Sequence, residues 1–175
     1  MLTNSHSGAA CEAAKEGFAA TAFSAASPSQ VSYTTLTSSP NSSSTKSALL
    51  YAALTTNFTE TLLAPAARPF LPPGVILNVN YAATTFTSSG TPNGDCASAS
   101  DFKWVFTRLV QDLSAIDVED CGSTLLPDEG TVVRSGCFAS VTVMNATTKS
   151  DVSASVQAQV LQRLQPSGLL TCFTG

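Results

Sequence analysis

An unbroken β-branched and apolar run follows a tight turn. Residues 71–81 read Leu-Pro-Pro-Gly-Val-Ile-Leu-Asn-Val-Asn-Tyr. Val75, Ile76 and Leu77 leave no polar face, which predicts a strand covered on both sides in a mostly parallel α/β sheet. Asn78 and Asn80 break the run and, two residues apart, share one face of that strand. A buried amide without a partner costs about 1 to 3 kcal/mol. The pair is therefore expected to tie down neighbouring loops or backbone near the strand's end, with direct contact to a ligand as the alternative.

A second rhythm has the helical period. Leu50, Leu54, Phe58 and Leu62 recur every four residues in 47–63, flanked by Tyr51 and Leu63, so an amphipathic helix packs there against the sheet. The alanine-rich stretch 8–17 predicts a short helix closed by Gly17. Residues 151–164, with Val152, Val156, Val160 and Leu164 in line, predict a closing helix with Asp151 favouring its N-terminal dipole. Further strands are expected at 18–24, at 102–110 with Phe102, Trp104 and Phe106 on one face, and at 131–134 and 137–144 around Ser135-Gly136. Stretches 25–44, 84–100 and 118–128 read as loops. Strand, helix and strand across 18–80 spell one crossover unit.

Composition narrows the function classes. The 175 residues fit one domain. Only 11% are charged, and 8 basic against 12 acidic residues give a net charge of −4 without runs, which argues against a nucleic-acid partner. No stretch approaches the roughly 20 apolar residues of a membrane span. The only histidine, His6, and five cysteines without a Cys-x-x-Cys pair disfavour zinc. Asp117, Glu119, Asp120, Asp128 and Glu129 form either a solvated acidic loop or a holder for a cation such as calcium.

Sequons at Asn41, Asn57 and Asn145 point toward the secretory pathway. The first eight residues are polar, however, and carry no signal peptide, so the expectation is that either the protein stays inside the cell or its true start lies upstream. Cys11, inside the alanine-rich helix, reads as a buried thiol. For the other four, Cys96 with Cys121 and Cys137 with Cys172 is the favoured pairing among three. Each bridge would contribute roughly 3 to 4 kcal/mol by loop closure.

Several segments, in order, resemble the secreted, fungal-type branch of the SurE-like survival proteins. They are 71–80, Phe-Lys-Trp-Val-Phe-Thr-Arg at 102–108, Asp-Val-Glu-Asp-Cys-Gly at 117–122, Leu-Pro-Asp-Glu at 126–129, 136–144, 149–152 and the final helix. The resemblance implies a three-layer, Rossmann-like α/β domain, here partial, with residues 1–81 as a remnant of its core and 82–175 as a β-rich C-terminal extension with its closing helix. It further implies a metal-dependent phosphomonoesterase or nucleotidase using Mg or Mn, a phosphate monoester or nucleotide as substrate, a homodimer and secretion. Residues 9–18 resemble the helix after the family's phosphate-binding turn, which places Asn4, Ser5, His6, Ser7 and Gly8 at that turn, although only the glycine of Ser-Gly-Thr-Val-Gly is kept. The family's metal turn, Asn-Asp-Asp-Gly, has no counterpart in these residues. No catalytic or metal-ligating residue is therefore assigned, and the chain alone is expected to be inactive. A non-catalytic remnant and a secreted binding or structural domain are the competing readings. Without the family's first strands, the strands beginning at Phe18 and Leu71 are expected to expose an edge and a hydrophobic face, open to self-pairing or aggregation.

Overall fold

The computed structural model describes residues 5–26, 30–65 and 67–174. Helix α1 (Ser5–Lys15) stops where Phe18 N–H donates to Ala13 and Gly17 N–H to Ala14. Gly17, at φ +88°, takes the left-handed position that this end requires. Strand β1 (Ala20–Ala25) follows. Part of the expected loop at 25–44 instead forms a short helix, α2 (Thr35–Ser38), and residues 27–29 lie outside the described ones. Helix α3 (Ser43–Leu63) opens on Ser42, whose hydroxyl accepts from Thr45 N–H, and buries Leu50, Leu54, Phe58 and Leu62, the stripe its spacing predicts. Strand β2 (Val75–Tyr81) is buried at every position and paired on both sides, so it exposes neither the edge nor the apolar face expected of it. Strand β3 (Lys103–Thr107), helix α4 (Glu129–Arg134), strand β4 (Phe138–Asn145) and helix α5 (Ala154–Leu164) complete the order.

The protein is α/β, with one mixed four-stranded sheet in the order β1-β2-β4-β3. β1 and β2 run parallel with α3 between them in sequence, as the strand-helix-strand pattern requires. β4 then enters between β2 and β3, antiparallel to the first and parallel to the second. The sheet is thus less parallel than the apolar run at 75–77 suggests.

The registers sort the residues into two faces. One face carries Phe23, Leu77, Val79, Tyr81, Val141, Val143, Trp104 and Phe106, and packs into the main core with α3 and α5. At its centre Phe58 stacks on Trp104 at 5.2 Å, and Tyr81 meets the same indole edge-on at 5.7 Å. Arg163 of α5 caps the far end of α3 by donating to the carbonyls of Leu62, Pro65 and Ala67. The other face is divided. Ala22, Ile76 and Met144 pack under Ala10, Cys11 and Ala14 of α1. Beyond them lie Asn78, Asn80, Ser140, Thr142 and Thr107, all buried and polar.

Three expectations are corrected. Residues 131–134 are helical, although Thr131, Val132 and Val133 are β-branched. The Asp128 side chain caps the turn by accepting from Thr131 N–H, with Glu129 in its first turn and Arg134 in its last, and capping plus charge placement outweigh local propensity. Helix α5 begins at Ala154, and Asp151 stands before it, accepting from Leu109 N–H at 2.6 Å.

The disulfides are Cys96–Cys137 and Cys121–Cys172, with Cα separations of 5.2 and 5.6 Å, and not the favoured pairing. Pairing of β3 with β4 explains the difference. Lys103 N–H donates to Cys137 C=O, so Cys137 lies at the entry to β3, where the segment carrying Cys96 arrives. The tail runs along the other edge of β3, Thr171 N–H donating to Trp104, which delivers Cys172 to the loop of Cys121. Cys11 is a fully buried free thiol, as expected.

Candidate functional site

The divided face holds a buried polar cluster. Asn78 and Asn80 of β2 do share one face, and both donate Nδ2 to a single oxygen, Glu129 Oε2, at 2.8 and 3.1 Å. Thr142 Oγ1 donates to the same oxygen at 3.2 Å. Thr142 has one hydroxyl proton and spends it there, so Thr107, 2.7 Å away, is the donor in the Thr107–Thr142 pair. The amides thus hold a carboxylate, in place of the loop or backbone contacts expected of them. Burial holds the Glu129 carboxyl above the ordinary glutamate range, while the Asn78 and Thr142 hydrogen bonds pull the other way. Two buried oxygens of the cluster, Asn80 Oδ1 and Ser140 Oγ, have no hydrogen-bond partner among the described residues.

The cluster opens into a cleft of about 470 Å³ lined by Asn80, Glu129, Asp128 and Arg134, with Leu109, Val110 and Val133 among its apolar walls. Glu129 reaches the sheet because Asp128 starts α4 directly above it. The sequence pattern puts Glu129 in an acidic loop and does not single out Ser140 and Thr142. Their spacing carried the signal, since 137–144 has polar residues two apart between Ala139, Val141 and Val143, the same pattern as Asn78 and Asn80.

The five acidic residues serve separate ends. Asp117 is buried against Arg108 at 3.0 Å and also accepts from Gln157 at 2.8 Å and Leu126 N–H at 3.1 Å. Asp151 lies at 3.4 Å on the second branch of the same guanidinium. Glu119 is exposed, Asp120 closes a small turn with Ser123, Asp128 caps α4 and Glu129 joins the cluster. Among the described residues, no three His, Cys, Asp or Glu side chains gather as a metal-ligand group. The groups turned toward Glu129 are N–H and O–H donors, a set that suits a carboxylate and not a divalent ion.

Of the phosphate-turn candidates, Asn4 lies outside the described residues, and Ser5, His6, Ser7 and Gly8 form the opening turn of α1. Asn41 and Asn57 are exposed, whereas Asn145 is half-buried with its side-chain oxygen accepting from Thr147 and Thr148 N–H. The two disulfides are consistent with an oxidising compartment such as the secretory pathway. No helix among the described residues is long and apolar enough to cross a membrane. Compared with protein-family models, curated proteins and solved structures, the chain matches none.

Proposed function

We propose that the chain is part of a SurE-like phosphomonoesterase or nucleotidase, a partial three-layer Rossmann-like domain in which these residues build the sheet and one wall of the cleft. The observation that supports this reading is the position of the family-like segment 71–80. It forms the sheet's fully buried strand β2, and its two asparagines lie on the polar face beside a small-molecule-sized cleft. The residues around Glu129 do not fit the family's divalent ion, so no catalytic step is assigned to them. The hydrolase reading requires an Asn-Asp-Asp-Gly turn supplied from outside the 175 residues, and the substrate is a phosphate monoester or nucleotide.

The test has two arms. The purified 175-residue chain, given Mg or Mn and an aryl phosphate, is expected to show no turnover above the blank; chelator-sensitive hydrolysis would reveal a metal centre within these residues. A longer chain that includes the coding sequence upstream is expected to hydrolyse a nucleotide with metal. An upstream sequence without the Asn-Asp-Asp-Gly turn would favour the remnant or binding-domain readings.

A further inference from the structure

The unpartnered atoms of the polar face define what the cleft would accept. Asn80 is 1% exposed, and its Nδ2 is committed to the Glu129 carboxylate. Flipping the amide would set one acceptor against another, so Glu129 fixes Asn80 Oδ1 as an acceptor, and that acceptor has no partner among the described residues. Glu129 takes all three of its hydrogen bonds on Oε2, leaving Oε1 as a second acceptor on a residue that lines the cleft. Ser140, the register neighbour of Asn80, adds another unpartnered buried oxygen.

Charge points the same way. Asp128 and Glu129 line the cleft against a single guanidinium, that of the exposed Arg134, so the lining disfavours an anion. A divalent metal is poorly served, since no three-ligand group is present among the described residues. A neutral alcohol offers one donor where two acceptors stand, one of them on a half-buried carboxylate. Of the remaining walls, Ala26, Leu109, Val110 and Val133 are apolar and suit a short hydrocarbon body, and Gln111 and Gly130 complete the lining.

We propose that this cleft binds a small organic ammonium ion, its head held by the Glu129 carboxylate and the Asn80 amide oxygen and its carbon chain lying along Leu109, Val110 and Val133. The free amine and a lysine side chain share this chemistry. The inference is independent of the hydrolase reading, since it needs neither phosphate nor metal.

The whole chain is titrated with n-butylammonium, n-butanol, 1,2-butanediol and magnesium at matched ionic strength, following heat and the Asn side-chain amide resonances. Butylammonium is expected to saturate and to shift the Asn80 amide signals. Glu129→Gln keeps an acceptor for Asn78, Asn80 and Thr142 and is expected to weaken binding about tenfold or more with folding retained. Val133→Lys places a tethered ammonium in the cleft without touching the cluster and is expected to abolish binding, which keeps the test decisive if Glu129→Gln unfolds. Absence of saturation, equal binding of the alcohol or diol, tighter binding of magnesium, or affinity unchanged in both variants would each overturn the proposal. Repeating the titration with a lysine-containing peptide separates the two sources of the ammonium group.

Discussion

Glu129 is half-buried among three donors, and its protonation is tied to stability. Because burial raises its pKa above the ordinary value near 4.5, the folded state holds the proton over a pH range where the unfolded state has released it. This contribution is fully present below about pH 4.5 and is lost as pH rises through the raised value. Glu129→Gln removes that slope. Urea unfolding of both proteins from about pH 4 to pH 7 should therefore show the variant gaining on the parent as pH rises, and parallel curves would show that Glu129 titrates as if exposed. The buried Arg108 carboxylate pair is a different case, in which removing the cation would strand two carboxylates.

Helix α4 shows what was legible in the chain and what was not. The i+4 stripe of α3 and the apolar run of β2 were plain because long-range burial and local pattern agree there. Residues 131–134 misled because three β-branched side chains in a row look like a strand, while the deciding signal sat just upstream in Asp128 and Glu129. The site was half legible for a related reason. Asn78 and Asn80 declared a shared polar face, but their partner lay 49 and 51 residues away on an element whose type was misread. Asp128→Ala should cost about 1 kcal/mol in unfolding free energy, as for other lost caps. It should also disturb the Asn78 and Asn80 side-chain amide resonances, because the cap positions Glu129. A loss of stability without any change at those amides would show that Glu129 is held by the sheet alone.

At the scale of the whole molecule, the two disulfides interleave, spanning 96–137 and 121–172, so each constrains a loop that the other already shortens. Their contributions will not simply add. β1 ends the sheet with no pairing on its outer side among the described residues, and its sequence Ala-Thr-Ala-Phe-Ser-Ala offers no charge or proline to deter a neighbour. Light scattering should show concentration-dependent association that Thr21→Lys reduces, and a strictly monomeric parent would remove this edge from consideration. The odd thiol has a consequence for maturation in an oxidising compartment. Cys11 lies sealed between α1 and the sheet, where it cannot attack either bridge until α1 lifts. Native protein should resist alkylation at Cys11. In mild denaturant the rate of labelling would report the opening of α1, and scrambled bridges containing Cys11 should accumulate in step with it and vanish in Cys11→Ala. The hidden sulfur would thus act as a clock for the moment at which correct pairing becomes safe, set by the docking of the first helix.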